Sequence, residues 1–206
     1  MNRLFVEAKS SQTAEGSFLN AILKRFFPDK QVQFVYMDGV AHLFNETNLN
    51  IMHQSLADGE NVLVLIDADT IEKGWGYDIR KKDVERNMKM NDIHFPLFLY
   101  PDNTSDGDVE MIMESIARKE KHPEWWDCFS DYEKCVSGVK DANGNQRYNL
   151  PNLKAKLHTF ISSQQLSNSQ RRKLGSGNWL FDNMEYWNLD HMEAHPLVEF
   201  LRNNLK

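Results

Sequence analysis

Asn61-Val62-Leu63-Val64-Leu65-Ile66-Asp67-Ala68-Asp69-Thr70 decides the fold class. Five apolar residues in a row, Val62 to Ile66, read as a strand covered on both faces, the habit of parallel sheets. Two aspartates follow at the carboxyl end, where open α/β sheets bind their ligands. Carboxylates beside a buried strand are costly unless something pairs with them. A divalent cation is the simplest partner, because Mg²⁺ takes oxygen ligands and is commonly held by one or two carboxylates.

Working outward, short apolar runs alternate with segments of helical spacing. Arg3 to Glu7 reads as a first strand. Phe18, Leu19, Ile22, Leu23 and Phe26 fall on one helical face, and Pro28 stops that helix. A second strand spans Val32 to Met37 and turns at Asp38-Gly39. A helix is expected over Leu49 to Leu56. Another is expected within Ile71 to Met90, with an interruption at Gly74-Trp75-Gly76. Phe95 to Tyr100 reads as a fourth strand. After Asp106-Gly107-Asp108, a helix carries Val109, Ile112, Met113 and Ile116 on one face. This alternation predicts right-handed crossovers and about four parallel strands flanked by helices, an α/β domain over residues 1–120.

Residues 121–206 are expected to form a mainly helical extension packed on that domain. An aromatic-rich helix is predicted over Glu124 to Val136, a turn at Asp141 to Asn145, a helix over Leu153 to Ile161, and a final helix at the C-terminus. The polar stretch Ser162 to Asn178, with Arg171-Arg172-Lys173, is expected to be mobile. The tryptophans are assigned to packing.

The chain has 206 residues and 41% hydrophobic residues, enough for one sizeable core. No apolar run approaches the roughly 18 residues of a membrane span. A soluble, cytoplasmic protein is expected, with no membrane partner, since Met1-Asn2-Arg3 leads straight into a strand. Cys128 and Cys135, at i and i+7, suit reduced packing residues on one side of a helix. A net charge of −6 excludes a broadly basic nucleic-acid coat. It leaves room for an enzyme that meets phosphate through a bound cation.

The same sheet edge gathers further acids. Glu7 ends the first strand as Asp67 and Asp69 end the third, and Glu110 opens the helix beyond the fourth, after Asp106 and Asp108. Neighbouring parallel strands would bring these carboxylates to one crevice. Arg80-Lys81-Lys82, with Arg86 and Lys89, offers a basic helix face for a phosphate backbone, or simply a solvated surface. None of the seven histidines forms a zinc-type set, and no GxxxxGK[ST] loop is present.

Phe5-Val6-Glu7 followed by Leu65-Ile66-Asp67-Ala68-Asp69 resembles the Toprim domain of topoisomerases, bacterial primases and OLD-type nucleases. Asp106-Gly107-Asp108-Val109-Glu110 resembles the acidic glycine element after the fourth strand in OLD-like and uncharacterised bacterial Toprim proteins. The likeness covers about the first 110 residues and more weakly the tail around Tyr186-Trp187-Asn188 and Pro196 to Leu201. It implies a Mg²⁺- or Mn²⁺-dependent phosphodiesterase acting on nucleic acid. Glu7, Asp67 and Asp69 would carry catalysis and metal, Glu110 would be a further metal ligand, and Arg80 and Lys81 would meet substrate. Two departures stand out: Ala8 replaces the usual glycine, and Ser11 sits where many members have an acid, with Glu15 able to substitute in space. A non-catalytic binding protein that keeps the acidic crevice is the alternative.

Overall fold

A computed structural model describes residues 1–206. Four strands, β1 (Asn2–Val6), β2 (Val32–Tyr36), β3 (Asn61–Asp67) and β4 (Leu97–Tyr100), form one parallel sheet in the order β2-β1-β3-β4. Crossovers are made by α1 (Ala14–Phe26), α2 (Glu46–Ala57) and α3 (Tyr77–Met90). The chain then continues through α4 (Val109–Ser115), α5 (Pro123–Gly138), α6 (Leu153–Ser162), α7 (Asn168–Gly175) and α8 (Pro196–Asn204). The protein is an α/β fold with helices on both faces of a parallel sheet. No helix is long and apolar enough to cross a membrane.

Strand periodicity sorts the core into two halves. Leu4, Val6, Leu63, Leu65, Phe98 and Tyr100 face α1, α4, α6 and α8. Phe5, Val64, Ile66 and Leu99 face the opposite way, toward Met52 of α2 and Val84 of α3. Residues 121–206 complete the first half. Leu157, Phe160, Trp187 and Leu201 are fully buried and belong to the same core as β1 and β3. The C-terminal helices therefore join α1 and α4 over one face of the sheet and share its core.

Two local expectations are revised and one, the interruption before α3, is met. The polar stretch after Ser162 contains α7, not a loose loop. Ser167 and Gln170 cap it reciprocally, and Leu174 anchors it in the core. Local capping supplies what the hydrophobic pattern lacked. Cys128 and Cys135 are free as expected but exposed, so they are not packing residues. The glycine interruption before α3 is a short 3-10 turn (Ile71–Lys73) ending at Gly74, whose φ is 81°.

The end of the chain is tied to its beginning. Asn2 is buried; its amide donates to the carbonyls of Gln31 and Lys206 at 2.9 Å each. Its Oδ1 accepts from Lys206 N at 2.9 Å and from Asn61 Nδ2 at 3.0 Å. Truncation to alanine removes all four of these part-buried hydrogen bonds, at about 0.5–1.5 kcal/mol each. We expect Asn2→Ala to lower unfolding free energy by at least about 2 kcal/mol in a urea titration. An unchanged midpoint would contradict the clasp.

Candidate acidic site at the sheet edge

Parallel register fixes the first pair of acids. Val6 lies opposite Leu65, so the two central strands end together. Glu7 follows β1 directly, and its Oε2 accepts the backbone N–H of Asp67 at 3.3 Å. Asp67 shares the side of Leu63 and Leu65, the face covered by α1 and α4. Its Oδ1 accepts the N–H of Val109, the first residue of α4, at 2.9 Å. Glu110, one residue on, is buried and pairs with Lys154 of α6 at 2.9 Å.

A fourth acid enters from α1. Thr13 caps that helix by accepting the N–H of Gly16, and Glu15 lies in the first turn. The chain before the helix folds tightly over this turn. A Cβ on Gly16 would collide with the carbonyl oxygen of Ser10. That close approach holds Glu15 inward, with only 9% of its surface exposed. Its Oε1 has no hydrogen-bond partner. The hydroxyl of Tyr100, at the end of β4 and opposite Asp67 in register, is likewise buried and unpartnered.

The electrostatics show that these groups feel one another. Burial, followed by the charges of Glu7 and Glu110, pushes the Glu15 carboxyl up to about 8. Burial, then Glu7, Glu110 and Glu15, holds Asp67 well above the usual range. Glu7 is raised mainly by burial, and Tyr100 is raised by burial and then by Glu15. Lys154 is stabilised in its charged form by Glu110, Asp67 and Glu15, which outweigh its partial burial. Glu110, Asp67 and Glu15 thus share one lysine, while the cation acting on Glu7 is Arg80.

Asp69 is engaged by other side-chain partners, although its charge still reaches Glu7 and helps to raise that carboxyl. Its φ of 60° breaks the strand alternation that would have put it beside Asp67. Its backbone exchanges two hydrogen bonds with Gly107, at 2.8 and 2.9 Å. Gly107 has φ 145°, and a Cβ there would collide with the sulfur of Met111, so glycine is required. The Asp69 carboxylate is paired on both oxygens, with Lys73 at 2.9 Å and with Arg80 at 2.7 Å.

Arg80 departs from the expected substrate-facing role. Its side chain is 4% exposed, and its guanidinium lies 3.7 Å from the ring centre of Trp75. Only Lys81, Lys82, Arg86 and Lys89 of the basic segment face solvent, interleaved with Asp78, Asp83 and Glu85. Lys81 donates to the Tyr77 hydroxyl at 3.2 Å. A surface groove of about 590 Å³ near Met88 and His94 touches none of the four clustered acids. The acidic site is a tight polar crevice, not an apolar ligand pocket.

A divalent cation suits this donor set chemically. All the groups are oxygen donors, they repel one another, and Glu15 Oε1 and the Tyr100 hydroxyl are orphaned. As the side chains stand, no three His, Cys, Asp or Glu groups are spaced to hold one ion together. Coordination would therefore require the carboxylates to swing inward.

One family model matches residues 1–206. The chain belongs to DUF3226. The family is described as protein of unknown function, and the match takes in the acidic edge and the C-terminal helices alike. No curated protein and no solved structure matches this DUF3226 chain.

The cluster has a thermodynamic signature. Glu15 in the folded protein keeps a proton that the unfolded chain releases near its ordinary 4.5. Stability therefore falls as pH rises from about 4.5 to about 8, by on the order of a few kcal/mol in metal-free buffer. Thermal melts across this window should show the fall, and Glu15→Gln should flatten it. A wild-type melting temperature that rises steadily from pH 5 to 8 would contradict the cluster.

Proposed function

We propose that this protein is a divalent-cation-dependent phosphodiesterase acting on nucleic acid, with Glu7, Asp67 and Glu110 as its principal metal-holding carboxylates. The observation that carries the reading is the convergence of acids from β1, β3, α1 and α4 at the carboxyl edge of the sheet, with Lys154 the one cation paired among them. Burial, and after it the charge of neighbouring carboxylates, raises Asp67 and Glu7 above their usual range. A Mg²⁺ or Mn²⁺ ion would relieve the repulsion among them.

Bound there, a divalent ion lowers the pKa of its water and neutralises charge on a phosphoryl oxygen. The chain's own residues do the rest. Val109 N–H orients the Asp67 carboxylate, and Asp67 N–H orients Glu7. Lys154, largely exposed at its tip, offers a charge that could meet a phosphate as well as Glu110. Exposed Lys81 stands on the neighbouring helix, and Lys73 stands before it. The resemblance of Glu7 and Asp67-Ala68-Asp69 to the Toprim pattern supplies the substrate class, while the parallel sheet supports it only at the level of fold.

One observation favours the second reading, a non-catalytic binding protein. Lys154 already neutralises Glu110, Lys73 and Arg80 neutralise Asp69, and no metal-ready set of three ligands is preformed.

Labelled single- and double-stranded DNA and RNA, incubated with the protein and Mg²⁺ or Mn²⁺, separate the two. We expect cleavage that chelation abolishes. Asp67→Asn should lower it by roughly 100-fold or more, as loss of one charge-stabilising group commonly does, with the circular dichroism spectrum unchanged. Absence of cleavage on all four substrates, or cleavage indifferent to Asp67→Asn, would replace the enzyme with the binding protein.

A further inference from the structure

We infer that Glu15, not Asp69, completes the cation-holding set, and that Asp69 is a structural anchor for the loop beside it. The inference rests on the proposed metal-dependent function and names the groups that would serve it.

Three observations on Asp69 point the same way. Its left-handed backbone turns it off the face that carries Asp67. Both its oxygens are taken by cations. One of those cations, Arg80, is buried under Trp75 and cannot move away without uncovering its charge. An Asp69 released to a metal would leave Arg80 buried and unpaired, a strongly unfavourable arrangement. The backbone bridge to Gly107 fixes the same loop against the segment that leads into α4. Asp69 therefore positions the start of α4, which carries the Val109 N–H and Glu110.

Glu15 has the opposite profile. It is buried on the Asp67 face, and no cation pairs with it directly. Its Oε1 lacks any partner, and the equally orphaned Tyr100 hydroxyl belongs to the same charged neighbourhood. The groups around it are Glu7, Glu110 and Lys154, with Ala8 contributing a backbone N–H. Buried polar atoms without partners in a folded protein call for an explanation, and an ion is one. A carboxylate oxygen with no protein partner, among other carboxylates, is a donor suited to a hard cation.

Mn²⁺ binding to the full-length protein, followed by electron paramagnetic resonance at neutral pH, tests this without reference to activity. The wild type should bind Mn²⁺. Glu15→Gln should weaken binding roughly 10- to 100-fold, the range for groups that support a metal site. Its metal-free melting temperature should hold or rise, because folding no longer has to keep a proton that the unfolded chain releases. Asp69→Asn should keep Mn²⁺ affinity within roughly threefold of wild type while melting at lower temperature. An Asp69→Asn chain too unstable to fold is itself the anchor outcome, and Glu15→Gln then decides alone. Wild-type protein that ignores Mn²⁺ overturns both this inference and the metal-dependent function. Wild-type binding matched by Glu15→Gln overturns the role of Glu15 and leaves the function standing. A folded Asp69→Asn that loses Mn²⁺ overturns the anchor role.

Discussion

The parallel pairing of β1 with β3, in a register that ends Val6 beside Leu65, is the constraint on which the acidic site depends. It places Glu7 against the backbone of Asp67 although 60 residues separate them in the chain. Both strands are central and buried on both faces, so their ends cannot shift without disturbing the whole core. A one-residue slip would turn Leu63 and Leu65 out of one half-core and Asp67 off the face of α1 and α4. The hydrophobic pattern of the sheet therefore holds the carboxylates in place, although it contributes no polar contact to them.

Charge is divided across that edge in a way the packing explains. On the α3 side, Asp69 meets Lys73 and a buried arginine, and the local balance is close to neutral. On the α1 and α4 side, Asp67, Glu15 and Glu110 meet one lysine donated by the C-terminal helices. Those helices share the core of the first half of the chain, so Lys154 is delivered by the fold, not by a flexible tail. The imbalance is a concentrated destabilising term that the rest of the core must offset. Such terms persist where they serve binding or chemistry.

Much of this was legible from residue order alone. The strands, their parallel arrangement and the position of Glu7, Asp67 and Glu110 at one edge follow from apolar runs and their ends. The pairing of the two aspartates did not survive, because spacing of two implies one face only while the backbone stays extended. The positive φ at Asp69 is set by its bridge to Gly107, a tertiary contact. Arg80 looked like one of a basic run. It is buried because the Gly74-Trp75-Gly76 segment lays an indole over it. Glu15 was visible only as an acid near the position where Ser11 stands. A signal was present in Thr13-Ala14-Glu15-Gly16, a capped first turn whose glycine lets the preceding loop press close.

We propose that acids from distant parts of the chain enclose one cation at this edge. The most direct test is a crystal of the wild-type protein soaked in Mn²⁺, with the ion located by its anomalous scattering. A peak coordinated by Glu7 and Asp67, with Glu15 or Glu110 turned onto it, is the predicted result. A map with no peak among these carboxylates, or with the ion seated on Asp69 and Arg80 displaced, would contradict the account.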